Sequence, residues 1–412
     1  MAAVLIFLPS LNAQKKKPLE ITSPEGAILV RVETAPKIQW SLFHKGQEII
    51  AASPVSMTLQ SGEVLGVNAR ITRQKTEKIN TSFNAINYRK AVVQDVCTQV
   101  TLSFRGDYGI TFRVYDDAVA YRFFTNRPGD ITVMEEEASF NFTADHQAFI
   151  PIQWDYRDGK TFNSSFEATY REISLSQFPK DSLAFLPLLV DAGQGKKALI
   201  LEADLENYPG MYLDLNSTGK GLMGVFAPYP IETYVQGINI IPIRRAGYIA
   251  RTDGTRSFPW RTVAISENDR ELLDCDIVQK LASPNRLSDI SWIKPGQVAW
   301  DWWSNMNISH VDFRAGMNTP SYKYYIDFAA RYGIPYILLD GGWNVAGDLT
   351  RARPEIDLDE LVAYGRLKGV GIIVWCSWKD VLAQKDKAFP YYEKSGIKGM
   401  KIDFIDRDDQ VA

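Results

Sequence analysis

The residues best suited to chemistry lie in the last third of the chain, where four short apolar runs end in acidic, basic or indole side chains. The runs are QVAWDWW, PYILLDGGW, VGIIVWCSW and GMKIDF. The side chains at or just after their ends are Asp301, Trp302 and Trp303; Asp340 and Trp343; Cys376, Ser377 and Trp378; and Lys401, Asp403, Asp406 and Arg407. Carboxylates framed by indoles suit a neutral, polyhydroxylated ligand, because acids bind hydroxyls and Trp faces cover C–H groups. Lys401, Asp301, Trp303, Asp340 and Trp343 are therefore the predicted ligand-binding residues.

The pair Lys401 and Asp403 is the strongest candidate for a reactive group. The two residues are two apart in a predicted strand, so both side chains point to the same face. A lysine ammonium beside an aspartate favours the ionised carboxylate, which is the state that a nucleophile needs. The alternative is a structural ion pair at a strand end, since such pairs also perturb carboxylates without a catalytic purpose.

Other acidic residues allow two interpretations each. Asp301 and Asp340 either bind ligand hydroxyls or tie loops together, because carboxylates at strand ends do both. In the run DRDDQ, Asp408 or Asp409 caps a following helix and Arg407 neutralises its neighbours. Acidic residues of the N-terminal part could bind a hard cation, but no loop there has a complete coordination pattern.

The four apolar runs are continuous, as in strands buried on both faces, and helical stretches lie between them. PSYKYYIDFAARYG and DLDELVAYGRLKG carry apolar residues at i, i+3 and i+4 spacing and end in glycine. The repeat of strand, loop and helix predicts β/α barrel units. Four units are present, whereas a closed barrel of this type needs eight. We therefore expect the first half of a (β/α)8 barrel, truncated after strand four, in a fragment of a longer protein.

The preceding 250 or so residues have a different pattern. Short alternating runs such as AILVRVE, CTQVTLSF and RTVAISE are separated by turn signals such as NRPGD. This pattern predicts a large antiparallel β-sandwich. The predicted organisation is a β-sandwich domain at 18–275, a linker at 276–296 and the partial barrel at 297–412.

Composition excludes several classes of protein. The 412 residues contain 46 basic and 49 acidic residues, interspersed along the chain, which disfavours nucleic acid and anionic lipid as partners. Cys97, Cys275 and Cys376 form no C-x-x-C pattern, so a zinc site or a disulfide framework is not indicated, although one pair could bridge. The three histidines are not clustered, which disfavours a histidine metal site or a Ser-His-Asp triad.

The N-terminus, MAAVLIFLPSLNAQKKK, carries a short apolar stretch followed by a small residue before Gln14. We predict a signal peptide at residues 1–13 and a periplasmic or secreted protein. The stretch is too short to span a bilayer, so no membrane insertion is expected.

The chain resembles glycoside hydrolase family 97 through SWIKPGQVAWDWW, YIDFAARYGIPYILLDGGW and KIDFIDRDDQ, and through FLPLLVDAG and LENYPGMY in the β part. The likeness runs along nearly the whole chain. It implies an exported α-glycosidase that acts on an oligosaccharide or glycoside, with an N-terminal β-supersandwich, a catalytic (β/α)8 barrel and a calcium ion in the active site. It carries no indication of oligomeric state.

The resemblance also implies roles for single residues. Retaining members carry their nucleophile as the aspartate of a K-x-D-F strand, which corresponds to Asp403, whereas inverting members use glutamates on neighbouring strands. WCSWKD contains no glutamate, so a retaining α-galactosidase is the leading expectation. Glu167 corresponds to a calcium ligand. Gly341 stands where relatives commonly have an acidic residue.

Three questions stay open at this stage. The family's general acid and its other calcium ligands lie beyond the fourth strand, so the chain itself is expected to lack the acid and to be inactive as a fragment. An α-glucosidase of the same family is the first alternative activity. A carbohydrate-binding protein without catalysis is the second.

Overall fold

The computed structural model describes residues 17–153 and 162–412, so the predicted signal peptide at residues 1–13 lies outside the described residues. The first two thirds of the described chain fold into antiparallel strands, and the last third alternates parallel strands with helices. The two hydrophobic patterns of the sequence therefore correspond to two structural units, here called the β unit and the β/α unit.

The β unit contains nineteen strands, one 3₁₀ helix and two short α-helices among the described residues. The strands are β1 (Leu19–Thr22), β2 (Ile28–Glu33), β3 (Gln39–His44), β4 (Gln47–Leu59), β5 (Val64–Leu65), β6 (Ile71–Asn84), β7 (Val92–Phe104), β8 (Tyr108–Val114), β9 (Ala118–Asn141), β10 (Gln147–Ile150), β11 (Arg171–Ser174), β12 (Leu188–Gly193), β13 (Lys196–Ala203), β14 (Met211–Leu215), β15 (Gly221–Phe226), β16 (Pro230–Gln236), β17 (Asn239–Arg245), β18 (Ala250–Ser257) and β19 (Trp260–Ser266). A 3₁₀ helix covers Leu175–Gln177. The helices α1 (Asp269–Leu273) and α2 (Ile277–Leu281) follow β19.

Strand β9 joins the layers of the β unit, because its 24 residues pair with different partners along their length. Its first half pairs with β8 and β19, its middle pairs with β18, and its second half pairs with β4 and β15. Seventeen strands thereby form one antiparallel hydrogen-bonded network, while β16 and β17 form a separate hairpin. The predicted antiparallel β domain is present.

Alternation explains how these strands form a core. On β2, Ile28, Val30 and Val32 are buried while Arg31 and Glu33 are exposed. Burying one such side chain contributes about 1.5–3 kcal/mol to the free energy of folding. Every second residue of a strand faces the same side of the sheet, so the buried residues share one face. The three cysteines are free.

The connection between the units begins later than the predicted linker at 276–296. Ile277 and Leu281 of α2 are buried in a cluster with Trp260 and Cys97 of the β unit. The chain lacks regular structure from Ala282 until the next strand. Helix α2 is therefore packed as part of the β unit.

The β/α unit contains β20 (Val298–Trp300), α3 (Thr319–Tyr332), β21 (Tyr336–Leu339), α4 (Leu358–Lys368), β22 (Gly371–Ser377), α5 (Trp378–Ser395) and β23 (Gly399–Asp403). A 3₁₀ helix, Asp301–Ser304, follows β20 directly. The helices predicted over PSYKYYIDFAARYG and DLDELVAYGRLKG are confirmed as α3 and α4. No helix of the described chain combines the length and the apolarity that crossing a bilayer requires.

Capping residues fix where these helices begin and end. Asn318 accepts a hydrogen bond from the Ser321 N–H at the start of α3, and Asp357 accepts one from the Glu360 N–H at the start of α4. Both helices, and α5, end at glycines with positive φ, a conformation that glycine adopts without a Cβ penalty. These stops return the chain to the sheet at regular intervals.

The four strands are parallel and lie in sequence order. In a parallel sheet the carboxyl ends of all strands lie at one edge, and Ser377 at the end of β22 pairs with Asp403 at the end of β23. The polar residues that end the four apolar runs are therefore gathered at one edge of the sheet.

Candidate active site

A cavity of about 990 Å³ opens at the carboxyl edge of the parallel sheet. Its walls come from both units. The β/α unit contributes Trp300, Trp302, Asp340, Trp375, Lys401 and Asp403, and the β unit contributes Ser165, Phe166, Glu167, Gly237 and Ile238. The cavity therefore combines carboxylates, lysines and aromatic faces, which is a combination suited to a polyhydroxylated ligand.

Lys401 lies between two carboxylates at the centre of this cavity. Its Nζ is 2.9 Å from Oδ2 of Asp340 and 3.4 Å from Oδ2 of Asp403. It also lies 4.5 Å from the centroid of the Trp300 ring, within the range of a cation–π interaction. The structure thus brings together three of the residues that the sequence singles out.

Asp403 has a fixed carboxylate. The indole N–H of Trp375 donates to Oδ2 at 3.0 Å, and the backbone N–H of Phe404 donates to Oδ1 at 2.9 Å. Burial acts to raise the pKa of the Asp403 carboxyl, but the hydrogen bond from Trp375, that from Phe404 and the charge of Lys401 outweigh it and hold the pKa below its usual value. Asp403 is therefore an ionised and oriented carboxylate at the cavity wall.

Asp340 is held at the same edge by three donors. Its Oδ2 accepts the Trp300 indole N–H at 2.5 Å in addition to Lys401, and its Oδ1 accepts the Gly341 N–H at 2.7 Å. A Cβ at Gly341 would lie 3.5 Å from the Trp375 ring. Because Gly341 has no side chain, that ring is left open to the cavity.

Asp301 lies behind the cavity wall instead of on it. Its Oδ2 accepts the hydroxyl of Tyr322 at 2.9 Å, its Oδ1 accepts the Trp302 N–H at 2.8 Å, and the Asp340 N–H approaches Oδ1 at 3.3 Å. Only 1% of Asp301 is exposed. Burial raises the pKa of this carboxyl to about 6. The loop-anchoring interpretation of Asp301 fits these contacts better than direct ligand binding.

Two predicted ligand-binding tryptophans do not line the cavity. Trp343 is fully buried and donates its indole N–H to the backbone oxygen of Trp375 at 2.8 Å, so it packs in the core of the β/α unit. Trp303 is 84% exposed, and its ring lies 6.0 Å from that of Trp300. Its neighbour Trp302 lines the cavity.

Glu167 lies on the cavity wall, as a calcium ligand would, but the described residues do not complete a metal site. The cavity carboxyl of Asp406 has a raised pKa because of burial and of the charges of Asp403 and Glu167. Ca²⁺ takes six to eight oxygen ligands. The part of the chain that the structure describes has no group of three or more His, Cys, Asp or Glu side chains arranged to hold a metal. On their own, these residues do not fit a calcium ion.

The run DRDDQ is packed against the β unit. Arg407 and Asp409 form a buried, bidentate ion pair, which agrees with the prediction that Arg407 neutralises its acidic neighbours. Asp409 also accepts the N–H groups of Val411 and Ala412 at 3.2 and 3.3 Å. These N–H groups lie two and three residues after Asp409, which is the hydrogen-bond pattern of a residue that caps the start of a helix.

Sequence reasoning missed the contribution of the β unit to the cavity. Gly237 and Ile238 form the turn between β16 and β17, and Phe166 with Ser165 precedes β11. A glycine with positive φ as the first residue of a two-residue turn is typical of a β-hairpin. Nothing in the local pattern indicates that this hairpin reaches a sheet some 60 or more residues later in the chain.

Comparison with protein families gives two matches along the chain. The family described as Glycosyl-hydrolase 97 N-terminal matches residues 21–284, and the family described as Glycoside hydrolase 97 matches residues 301–412. Together they cover both structural units.

Two curated relatives are similar to nearly the whole of this chain. The chain is 39% identical over 415 residues to a retaining alpha-galactosidase of Bacteroides thetaiotaomicron, covering 99% of this chain and 63% of that protein. It is 25% identical over 416 residues to a probable retaining alpha-galactosidase of Streptomyces bingchenggensis, covering 98% of this chain and 58% of that protein. The chain thus spans about three fifths of the length of these relatives.

Solved structures share the fold. A glycoside hydrolase family 97 enzyme from a Pseudoalteromonas species, in complex with acarbose, superimposes with a TM-score of 0.80 at 24% identity, covering 94% of this chain and 59% of that one. A beta-arabinopyranosidase superimposes with a TM-score of 0.78 at 21% identity, covering 95% of this chain and 63% of that one.

Proposed function

The chain belongs to glycoside hydrolase family 97, and we propose that the protein to which it corresponds is an α-glycosidase that hydrolyses terminal α-galactosides with retention of configuration. The observation that carries the proposal is Asp403, whose carboxylate is kept ionised at the cavity wall by Trp375, Phe404 and Lys401. The similarity to the Bacteroides thetaiotaomicron protein supports the galactoside preference.

In the proposed reaction Asp403 attacks the anomeric carbon of the bound sugar. A bond forms between a carboxylate oxygen and that carbon while the glycosidic C–O bond breaks, and the leaving oxygen takes the bonding pair and a proton. Water then attacks the glycosyl ester, gives up a proton, and releases the sugar with its original configuration. The hydrogen bonds from Trp375 and Phe404, together with the Lys401 charge, hold the pKa of Asp403 below its usual value and keep it deprotonated before the first step.

The proton must come from a second carboxyl group, roughly 5 to 5.5 Å from the nucleophile in retaining enzymes. We propose that it comes from a region of the complete protein outside this chain, as the family resemblance implies. The alternative on this chain is Asp406, which lines the cavity and has a raised pKa. Asp406→Asn would then slow substrates with poor leaving groups far more than activated aryl glycosides, whereas an unchanged ratio would exclude Asp406.

Substrate binding is assigned to the cavity wall. Asp340 and Lys401 are placed to bind hydroxyl groups, and the faces of Trp300, Trp302 and Trp375 are suited to the C–H faces of a sugar. The open Trp375 ring beside Gly341 is the proposed difference from relatives that carry an acid at that position.

Calcium dependence stays a proposal with Glu167 as one ligand. No reaction step is assigned to the ion, because the described residues alone do not form a site. The test is thermal unfolding of the complete protein with Ca²⁺ or with a chelator. We expect Ca²⁺ to raise the midpoint in the parent protein and to have a smaller effect in Glu167→Gln. Equal effects in both proteins would remove Glu167 from the site.

The decisive experiment is Asp403→Gly in the complete protein. We expect turnover of an aryl α-galactoside to be lost, and azide to restore it by filling the vacated space and giving a β-linked galactosyl azide. Asp403→Asn is the matched control: its amide fills the space, so azide should not restore turnover. Unimpaired turnover in Asp403→Gly would remove Asp403 from the mechanism.

Two alternative functions have separate tests. An α-glucosidase would show a higher initial rate on an aryl α-glucoside than on the galactoside. The absence of a glutamate after β22 argues against the inverting branch. A carbohydrate-binding protein without catalysis would bind galactosides and release no product from either substrate.

We also propose that the four parallel strands are the first half of an eight-stranded barrel and that the protein is exported. The barrel proposal rests on the strand order and on the longer relatives. DNA sequencing past the codon for Ala412 tests it, because four further β/α units should follow. Export predicts a mature N-terminus near Gln14, which N-terminal sequencing of the secreted or periplasmic protein would detect.

A further inference from the structure

The segment Asp406–Gln410, here called the docking segment, connects the end of the β/α unit to the β unit. It begins three residues after Asp403. Most of its contacts are with β-unit residues that are distant in sequence. They are of three kinds: ion pairs, a close approach at a glycine, and hydrogen bonds of a glutamine side chain.

The ion pairs are buried. Arg407 donates to both oxygens of Asp409, at 2.9 and 2.8 Å, and Arg245 at the end of β17 donates to Oδ2 of Asp409 at 3.2 Å. Arg407 is 4% exposed and Asp409 is 3% exposed. Removing one partner of a buried ion pair leaves an uncompensated charge in the protein interior, which is strongly destabilising. The docking segment is therefore firmly held at its centre.

The close approach is at Gly210, in the loop before β14. Its N–H donates to the backbone oxygen of Asp408 at 3.1 Å. A Cβ added at Gly210 would overlap the whole carboxyl group of Asp408. Any larger residue at position 210 would therefore force the Asp408 carboxyl to move.

The side-chain hydrogen bonds are made by Gln410. Its side-chain nitrogen donates to Oδ1 of Asn207 at 2.9 Å, and its Oε1 accepts the N–H of Arg251 at 2.8 Å. The β unit thus holds the docking segment at residues 408, 409 and 410, through the loop of Asn207 and Gly210, the end of β17 and the strand β18.

Between Asp403 and the docking segment stand only Phe404 and Ile405. Phe404 has φ +64°, a left-handed conformation that is strained for a residue with a large side chain. Such strain persists only where surrounding contacts enforce it. The same residue donates the N–H that orients Oδ1 of Asp403.

We propose that the docking segment is a positioning element for Asp403: the β unit fixes the chain just after Phe404, which keeps Phe404 left-handed and its N–H on the nucleophile. This inference rests on the proposed function of Asp403. It assigns the β unit a part in catalysis beyond lining the cavity.

The test variant is Gly210→Ala in the complete protein, because its methyl group displaces Asp408 without touching the cavity residues. Gly247→Ala is the matched control, since a Cβ there meets nothing within 4 Å. We expect Gly210→Ala to lower kcat by about ten- to a hundredfold, as a displacement near 1 Å does, with KM changed less than about twofold. Gly247→Ala should match the parent.

A double variant separates positioning from general damage. In Asp403→Gly the nucleophile is azide, which does not depend on Phe404. Adding Gly210→Ala should therefore change the azide-supported rate by less than about threefold, because the two changes act on one unit. A further loss equal to the loss in the parent would overturn the proposal.

Hydrogen exchange gives a readout without activity, and it keeps the test separate from the proposed function. Gly210→Ala should speed exchange in residues 406–410 and also at Phe404. Faster exchange confined to 406–410, or faster exchange at Phe404 with unchanged kcat, would overturn the positioning role. If Gly210→Ala does not fold, Gln410→Ala is the milder variant with the same expected pattern. Failure of the proposed function would appear earlier, as full turnover in Asp403→Gly alone.

Discussion

Replacing Lys401 with Met removes the cation that Asp340 and Asp403 share. The methionine keeps most of the length of the side chain, so the space between the two carboxylates stays filled while the charge is lost. The carboxyl of Asp403 then keeps its hydrogen bonds from Trp375 and Phe404 but has Asp340 as an uncompensated neighbour. We expect its pKa to rise.

The size of the rise follows from the 3.4 Å separation of Lys401 Nζ and Asp403 Oδ2. Coulomb's law gives about 5 kcal/mol at an effective dielectric constant near 20 and about 1 kcal/mol in bulk water. The two side chains are 32% and 37% exposed, so solvent screening brings the value towards the lower limit. About 1.5–2.5 kcal/mol is reasonable, which corresponds to a rise of roughly one to two pKa units.

The assay is the pH dependence of kcat/KM on an aryl α-galactoside, whose acid limb reports the nucleophile of the free enzyme. The folded Asp403 has a lowered pKa, so activity is present above that pKa and is lost as the pH falls through it. Lys401→Met should move the midpoint of the acid limb upwards by about one to two units. Lys401→Arg, which keeps the charge, should move it much less.

Lys379→Met is the control. Lys379 also lines the cavity, but its Nζ lies 3.0 Å from Asp380 instead of beside Asp403. Its replacement should leave the acid limb in place. An unmoved acid limb in Lys401→Met, with activity lowered equally at every pH, would refute the electrostatic role and leave Lys401 as a substrate contact alone.

Three further predictions test other parts of the site. Trp343→Ala should lower the free energy of unfolding by about 3–5 kcal/mol, because a fully buried indole is removed. Trp302→Ala should instead raise KM and leave the unfolding midpoint unchanged. The reverse pattern would mean that Trp343 contacts the substrate. Trp375→Phe removes the N–H whose hydrogen bond Asp403 accepts at 3.0 Å. Because a hydrogen bond to a charged group contributes about 1.5–3 kcal/mol, kcat/KM should fall by about ten- to a hundredfold. A change in kcat/KM below about twofold would contradict this prediction. Burial raises the pKa of Asp301 from 3.8 to about 6, so its contribution to stability, on the order of 3 kcal/mol, is present below about pH 4 and is lost as the pH rises through 6. Burial also raises the pKa of Asp408 to about 6 and that of Glu202 to about 7, and both groups titrate in either protein. Denaturant unfolding at pH 4 and 7 should therefore show a loss that is about 3 kcal/mol smaller in Asp301→Asn than in the parent, and equal losses would contradict the prediction.

The parallel strands and the residues at their ends could be predicted because the signals are local. A continuous apolar run followed by Asp or Lys predicts both a buried strand and the edge at which its polar residue lies. Lys401 and Asp403 are the clearest case, since a spacing of two in a strand gives one direction for both side chains.

Two of the tryptophans show the limit of such reasoning. Trp302 and Trp303 are adjacent, and strand periodicity cannot tell which one faces the cavity once the chain enters a 3₁₀ helix. Trp343 follows a glycine with positive φ, which turns its side chain back into the core. Backbone direction after a strand end decides these cases, and the sequence pattern does not encode it.

The charges around the cavity can be related to the bond-breaking step of the proposed reaction. Asp340 and Asp403 share the single cation of Lys401, while the other cavity lysine, Lys379, is paired with Asp380. This arrangement leaves an excess of negative charge where a sugar would lie. Glycoside hydrolysis passes through an oxocarbenium-like transition state that carries positive charge near the anomeric carbon. Fixed negative groups therefore stabilise the transition state more than the neutral substrate, which is the condition for a gain in rate instead of binding alone.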